Sequence, residues 1–319
     1  MDNPIEIETL RRFLSPERVR ELSKLRPSRV LCDATLCWVF IFMAWLAVWA
    51  YPVWYVILLA IPVIGNRFYA LYIIGHDGLH RRLFRSIKLN DFFSDLLVFA
   101  PIFAITRLNN QNHLTHHRNL SRGHDPDHYK YTCLNKNSVI DLICYLVGGQ
   151  SLLKGIRNVF LGGSKAFGEK KGRYSLRDIV LIISWQAALI TGLSLAIGWW
   201  AYPVLWLVPV FVFTFLADNV RTFLEHGFHS SDADAPPHRL ITYWAPWWER
   251  MFLSPMNMNY HAAHHLWPSI PYYNLPLADQ ELFEVSRSDS GGLLWRRSYI
   301  GFLASYFVAV PIEDCIESA

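Results

Sequence analysis

Two long apolar stretches without a charged side chain dominate the pattern of hydrophobic and polar positions in this chain. They cover residues 34–66 and 179–217. As a single helix the shorter stretch would be roughly 50 Å long, well beyond the ~30 Å hydrocarbon core of a bilayer. Pro52 and Pro203 lie near the middles of the two stretches. Each stretch is therefore predicted to form a helical hairpin that crosses a membrane twice.

The two hairpins together predict an all-α integral membrane fold with four transmembrane spans. The spans are predicted near residues 31–50, 52–72, 179–199 and 202–222. Three further apolar pieces, at residues 96–106, 139–153 and 300–312, are too short or too interrupted to cross a bilayer. They are predicted to lie at the membrane interface or to re-enter the membrane.

The distribution of charge predicts which side of the membrane the connections face. Charged residues make up only 18% of the chain and hydrophobic residues 52%, whereas about 25% of the residues of a soluble domain are charged. All 30 lysines and arginines lie outside the two apolar stretches. By the positive-inside rule both termini and the long connection are predicted to be cytoplasmic, in a bacterial inner membrane or the endoplasmic reticulum. The mild net charge of +4 favours contact with anionic lipid and not with nucleic acid.

The charged N-terminus contains the sequence SPERVRELSKLRPSR. It predicts a basic amphipathic helix with Ser15 as N-cap and Glu17 in the first turn. Such a helix could lie on the membrane or dock an electron carrier. The chain is then divided into an N-terminal cytoplasmic segment at 1–29, a membrane domain at 30–275 and a C-terminal cytoplasmic segment at 276–319.

Histidines form three short clusters outside the apolar stretches. One cluster has the spacing HxxxH and two have the spacing HxxHH, and their members are His76 and His80; His113, His116 and His117; and His261, His264 and His265. Residues three or four apart share one face of a helix. His76 follows Arg67 by nine residues and His226 follows Asp218 by eight, so the two hairpins are predicted to bring histidines to one height on one side of the membrane. Neutral imidazole binds iron, zinc, copper and nickel, and nine imidazoles exceed the coordination shell of one ion and suit two.

The order of these clusters, between and after two hairpins, resembles the membrane fatty acid desaturase family, the integral membrane histidine-box di-iron desaturases and hydroxylases. The match covers most of residues 30–275 and includes the flanking sequences HRNLSRGHDPD and HHLWPSIPYYNLP. The resemblance implies a cytoplasmic helical cap that holds two iron ions, with O2 as co-substrate. The metal ligands that it implies are His76, His80, His113, His116, His117, His226, His261, His264 and His265. His229 is an alternative to His226 as the ninth ligand.

Polar residues near the clusters are candidates for orienting the ligands, because a metal-bound histidine usually donates its second N–H to a carboxylate or carbonyl. These candidates are Asp77, Asn112, Asp125, Asp127, Glu225 and Asn259. Asp125 and Asp127 could instead form a turn, the two asparagines could cap helices, and Glu225 could pair with Arg221 four residues earlier. Arg67 is a candidate for binding a substrate headgroup, and pairing with Asp33 or with a lipid headgroup is its alternative role.

The predicted function is oxygen-dependent oxidation of an aliphatic C–H bond in a lipid by a di-iron centre, with no catalytic side chain beyond that centre. Fatty acyl desaturation, which introduces a C=C bond, is the first hypothesis. Alternatives are a carotenoid ketolase or hydroxylase, and a fatty acid hydroxylase, acetylenase or terminal-alkene-forming decarboxylase. A non-enzymatic membrane zinc protein belongs to a different class, but transport would favour polar residues inside the spans. Because the sequence has no HPGG haem box and no CxxC pair, electrons are predicted to come from a separate ferredoxin, rubredoxin or cytochrome b5.

Overall fold

The computed structural model of the chain describes residues 7–120, 125–127, 174–226, 240–286 and 293–309. In chain order the helices are α1 (Ile7–Leu10), α2 (Pro16–Leu22), α3 (Pro27–Ala50), α4 (Trp54–Leu79), α5 (Ile87–Ser94), α6 (Thr106–Asn119), α7 (Leu176–Ala196), α8 (Phe215–His226), α9 (Trp247–Leu253), α10 (His261–Leu266), α11 (Leu275–Val285) and α12 (Tyr299–Ala309). The strands are β1 (Leu240–Tyr243) and β2 (Leu293–Arg296), which pair in parallel.

The chain divides into two compact units. We call the first the span unit, which comprises Leu25–His113 and Gly162–Ala217. We call the second the terminal unit, which comprises Met1–Lys24, Leu114–Leu161 and Asp218–Ala319. Residues from both ends of the sequence thus belong to the unit that contains the third histidine cluster. The division of the chain at 1–29, 30–275 and 276–319 stays a prediction.

Among the described residues, four helices are long and apolar enough to cross a membrane, as predicted, and a fifth span is possible if the bent pair described below counts as one. The four helices are Pro27–Ala50, Trp54–Leu79, Leu176–Ala196 and Pro203–His226. The second ends at Leu79 and not near residue 72, so His76 lies inside it. Aromatic side chains such as Trp54 and Trp199 are exposed beside the breaks between consecutive spans, as is typical of side chains at a membrane interface.

The fourth span is irregular in its first half. Two π-helical segments, Pro203–Leu207 and Pro209–Thr214, precede α8. Each begins at a proline, which has no N–H to give to the preceding turn. Helix α4 packs closely on this segment at Gly65, where an added Cβ would lie 2.5 Å from the Cβ of Phe213. A side chain at position 65 would therefore force the two spans apart.

The predicted apolar piece at 96–106 lies in a bent pair of helical segments. Ile87–Ile102 and Thr106–Asn119 meet at 93°, as in a broken span or a re-entrant loop. Phe103 closes the bend in the left-handed conformation, with φ of 61°. The segment at 139–153 lies outside the described residues. The segment at 300–312 is helical in its described part, which belongs to α12.

Gln186, in the middle of α7, holds the bend. Its Nε2 donates to the carbonyls of Ala100 (3.3 Å) and Pro101 (3.0 Å), and its Oε1 accepts a hydrogen bond of 2.6 Å from the Tyr202 hydroxyl. Trp206 Nε1 also donates to the Pro101 carbonyl, at 3.3 Å. Carbonyls at a helix end have no hydrogen-bond partner within the helix. Gln186 and Trp206 supply the hydrogen-bond donors for these carbonyls, which lipid chains could not provide.

We expect Gln186→Leu to destabilise the span unit by about 2 kcal/mol, because it removes three hydrogen bonds worth roughly 0.6 kcal/mol each in a membrane protein. Thr191→Val is the matched control, since Thr191 is an exposed polar residue of the same helix. Thermal unfolding of both variants in detergent measures the difference. Equal melting temperatures for wild type and Gln186→Leu would contradict this role.

The N-terminal residues pack into the core of the terminal unit. Ser15 accepts a hydrogen bond from the backbone of Arg18, which confirms it as the N-cap of α2, and Glu17 lies in the first turn. Leu22 is buried and Val19 partly buried against Leu266, Leu275 and the other core residues. The apolar face of α2 is thus covered by protein, and contact of the helix with a membrane or an electron carrier through its charged face stays a prediction.

Candidate metal site

Three histidines come together in the span unit. His76 lies in the last turn of α4, His80 follows as the C-cap of that helix, and His113 belongs to α6. The Nε2 atoms of His80 and His113 are 2.7 Å apart, and the ring centroids of His76 and His113 are 4.2 Å apart. Their potential ligand atoms all lie within 4.8 Å of one another. The spacing HxxxH thus places the imidazoles of His76 and His80 next to that of His113, which belongs to the second cluster.

Six more histidines come together in the terminal unit. Their backbones belong to the end of α6, the last residue of α8 and the short helix α10. A turn with left-handed residues at Met256 and Asn257 (φ of 53° and 62°) precedes α10 and directs its histidines inward. In all six the ring contacts at least one other imidazole, and the six are His116, His117, His226, His261, His264 and His265.

The ring nitrogens of this second group face one another. His261 Nε2 is 2.8 Å from His226 Nε2 and 2.9 Å from His265 Nε2. His264 Nε2 and His117 Nε2 are 3.1 Å apart. The ligand atoms of His116, His226 and His265 lie within 4.8 Å of one another. Nitrogen lone pairs at these separations are placed to share an ion.

The charge state of these rings suits metal binding. Burial, with the neighbouring His226 next in size, lowers the pKa of His261 well below its usual value. Burial likewise lowers the pKa of His265, with His261 as the next cause. Both rings are therefore neutral at pH 7 and carry a free lone pair, which is the form that binds a metal.

Asp125 contacts a histidine of the second cluster. Its two carboxylate oxygens are 2.9 and 3.0 Å from His116 Nδ1, an arrangement that leaves Nε2 of that ring for a metal. Asp125 Oδ1 also accepts a hydrogen bond of 2.8 Å from the backbone N–H of Asp127. The carboxylate of Asp125 therefore both orients the ring and closes the predicted turn.

Glu225 lies behind the third cluster. It is fully buried, and the predicted pair with Arg221 is confirmed, with a distance of 2.5 Å between Glu225 Oε2 and Arg221 Nη1. The same carboxylate oxygen is 3.3 Å from His261 Nδ1. Its other oxygen accepts a hydrogen bond of 2.9 Å from the Tyr299 hydroxyl. No sequence spacing indicated Tyr299, because it lies far from every cluster along the chain.

The remaining candidates lie in different surroundings. Asp77 is buried beside His76 in the sequence. Asn112 is exposed within α6, so the prediction that it caps a helix is wrong. The same prediction is wrong for Asn259, because the N-cap residue of α10 is Tyr260, without a side-chain cap. Asn259 Nδ2 donates to the Tyr243 carbonyl at 2.9 Å. Its buried Oδ1 has no hydrogen-bond partner among the described residues, so it remains available to a bound water.

Two further predictions concern Arg67 as a headgroup ligand and the choice between His226 and His229 as the ninth metal ligand. Arg67 Nε donates to the side chain of Asn66 at 3.0 Å. Asp33 pairs with Arg29, at 2.8 Å, on the same turn of α3. Headgroup binding by Arg67 stays a prediction. His229, the alternative ninth ligand, lies outside the described residues, whereas His226 is in contact with the third cluster.

Comparisons with known proteins place this arrangement in context. The sequence model of the family described as Fatty acid desaturase matches residues 52–297. The chain is 25% identical to the sn-1 oleoyl-lipid 12-desaturase of Arthrospira platensis over 253 residues, which cover 73% of this chain and 70% of that protein. It is 26% identical over 274 residues to the sn-1 acyl-lipid omega-3 desaturase (ferredoxin) of Nostoc sp., with coverage of 76% and 73%.

A shorter similarity relates the chain to an enzyme of another name. Over 73 residues, 23% of this chain and 18% of the relative, it is 34% identical to the ceramide hydroxylase of Caulobacter vibrioides. Proteins named as desaturases and as a hydroxylase are thus both similar to it.

Proposed function

Because the chain belongs to the fatty acid desaturase family, we propose that it is a membrane oxidoreductase that uses O2 and two iron ions to desaturate the acyl chain of a lipid. The observation that carries the proposal is the group of six contacting histidines in the terminal unit, with His261 and His265 buried and neutral. An ordinary core does not bury so many imidazoles without a shared partner, since each ring nitrogen needs one.

We assign both irons to the nine histidines named from the sequence. His113 and His117 are one helical turn apart on α6, so this helix contributes to the histidine groups of both units. An all-imidazole donor set suits iron and, by donor type alone, also zinc or copper. Bound iron would activate O2, the oxidant, for attack on an unactivated C–H bond, which side chains alone cannot achieve.

The residues of the chain itself hold and shield that centre. Asp125 fixes the tautomer and orientation of His116. Glu225 Oε2 and Arg221 Nη1 lie behind His261, at 3.3 and 3.4 Å from its Nδ1. His226 and His264 are 1% and 0% exposed, so bulk water is kept from these ligands. Electrons would come from a separate carrier, for which a ferredoxin is favoured by the name of the Nostoc relative. We propose a cytoplasmic location for the site and both termini, on the positive-inside argument.

Hydroxylation of an acyl chain is the second candidate, and the similarity to the Caulobacter ceramide hydroxylase favours it. Both outcomes begin with removal of one hydrogen atom from the acyl chain. Desaturation then removes a second hydrogen, whereas hydroxylation adds an oxygen. The two reactions are therefore separated by their products and not by their metal.

Asp125→Asn is expected to lower iron affinity by about 10–100-fold, the usual effect of removing a carboxylate partner from a ligating histidine. The amide can no longer accept the His116 N–H with a charged oxygen. Asp127→Asn is the control, because Asp127 contacts the Asp125 carboxylate through its backbone N–H, which the substitution retains. Iron content after dialysis against graded chelator measures the affinity. Equal losses from both variants would contradict the role of Asp125.

The proposal is tested by lipid mass spectrometry on a bacterial host that expresses the chain together with a ferredoxin and its reductase. Acyl chains that have lost two hydrogens are expected, and they should be absent with the double variant His116→Ala, His117→Ala. Acyl chains that have gained one oxygen would favour hydroxylation. New products that appear only in a carotenoid-producing host would show that the substrates are carotenoids and not acyl lipids. Unchanged lipids in every host, with zinc in the purified protein, would overturn the proposal.

A further inference from the structure

Tyr299, the first residue of helix α12, donates its phenol hydrogen to Glu225, which lies behind the histidine group of the terminal unit. We propose that Tyr299 is a positioning residue of the metal centre, which acts on His261 by fixing the carboxylate of Glu225. This inference rests on the proposed function and names a residue that neither the clusters nor the comparisons indicate.

The two oxygens of Glu225 have different partners. Oε2 is bound by Arg221 at 2.5 Å and lies 3.3 Å from His261 Nδ1. Oε1 accepts from the Tyr299 hydroxyl at 2.9 Å. A carboxylate with one donor can rotate about its last torsion, whereas a donor on each oxygen fixes its plane. Tyr299 therefore sets the direction in which Oε2, together with the Arg221 guanidinium bound to it, meets the His261 ring, whose Nδ1 lies 3.4 Å from Arg221 Nη1.

Tyr299 is itself held in place from two sides. Its ring is fully buried and stacks on Tyr243, with centroids 3.8 Å apart and planes at 14°. Its backbone N–H donates to Glu249 Oε2 at 2.6 Å, and the Ser298 hydroxyl donates to Glu249 Oε1 at 2.6 Å. The buried Glu249 of α9 thus anchors the first turn of α12. With the ring and the backbone N–H held in this way, the phenol oxygen lies 2.9 Å from Glu225 Oε1, and the Ser254 side chain is a second neighbour of the phenol.

The phenol is suited to donate and not to ionise. Burial, with Glu225 the next cause, raises the pKa of Tyr299 well above its usual value. The hydroxyl therefore keeps its proton at physiological pH and remains a donor.

Tyr243 provides a matched control. It is equally buried, its ring is the one that stacks on Tyr299, and its hydroxyl donates to the Leu224 backbone carbonyl at 3.0 Å. Tyr243→Phe and Tyr299→Phe thus remove the same atom from neighbouring rings. Only Tyr299→Phe takes a donor from the carboxylate behind His261.

The experiment measures the rate at which iron leaves the reconstituted full-length protein to an excess of ferrous chelator. We expect Tyr299→Phe to lose iron about tenfold faster than wild type, at the low end of the range for outer partners of a metal ligand, and Tyr243→Phe to stay within about twofold. Glu225→Gln should lose iron at least as fast as Tyr299→Phe, because it also removes the charge that pairs with Arg221, and the double variant should lose iron no faster than Glu225→Gln, because both act on one contact. Para-aminophenylalanine at position 299 retains an N–H donor and should restore slow release.

Each other result overturns the inference. Equal release from wild type and Tyr299→Phe would show that the phenol does not affect the centre. Equal acceleration in the two phenylalanine variants, without rescue, would assign the effect to packing. A wild-type protein that binds no iron would contradict the proposed function itself and this inference with it, whereas iron binding without a Tyr299 effect would contradict the inference alone.

Discussion

His265→Ala is expected to abolish lipid oxidation and to release iron from the protein. His265 is 3% exposed, and its ring centroid lies 4.2 Å from that of His117, 4.3 Å from His261 and 5.0 Å from His226. Loss of an outer partner alone costs about 10–100-fold in metal affinity or activity, so loss of a central ligand should cost more than about 100-fold. Product formation and iron content, measured on the same preparation, report both effects.

The control for this variant is Tyr260→Phe, which changes a half-buried residue directly before the same helix. It should retain iron and activity. A His265→Ala protein that keeps full iron content would remove this histidine from the ligand set. A protein that keeps activity would contradict a role for the histidine group in the reaction.

Arg221→Met is expected to destabilise the terminal unit by about 3–5 kcal/mol, the usual cost of removing one partner from a buried ion pair. Arg221 is 5% exposed, and its two Nη atoms lie 3.0 Å from Asp218 Oδ1 and 2.5 Å from Glu225 Oε2. Methionine fills a similar volume but leaves the buried carboxylate of Glu225 and the partly buried carboxylate of Asp218 uncompensated. Thermal unfolding of the purified protein in detergent measures the loss.

The matched control is Arg20→Met. Arg20 pairs with Glu17 at 2.6 Å, but both side chains are about three-quarters exposed, at 75% and 74%. A solvated pair of this kind contributes at most about 1 kcal/mol, so the control should unfold close to wild type. Similar melting temperatures for the two variants would mean that the Arg221 pair is solvated in the protein.

The spans and the histidine groups were predictable because each depends on neighbours in sequence. Apolar runs such as 34–66 report membrane spans directly, and the spacing of His261, His264 and His265 reports one helix face. The irregular start of the fourth span was not predicted, although Pro203 and Pro209 explain it. Apolar content reports the length of a span and not its hydrogen bonding.

The contacts that support the site were harder to predict because they join distant parts of the chain. In the sequence Gln186 is a single polar residue within an apolar run. Only the structure shows that its side chain donates hydrogen bonds to the carbonyls of Ala100 and Pro101. The sequence predicts that Leu22 belongs to an amphipathic surface helix, whereas in the structure Leu22 is buried in the core of the terminal unit. Tyr299 has no local pattern at all, since only the tertiary fold brings it to Glu225.

The most direct test of the central claim is a single turnover by the purified protein in nanodiscs whose lipids have deuterated acyl chains. The protein is reduced chemically, exposed to O2, and analysed for metal content and for acyl products by mass spectrometry. We predict two iron ions per chain and an oxygen-dependent loss of two deuterium atoms from an acyl chain. Zinc in place of iron, with acyl chains that are identical with and without O2, would contradict the account.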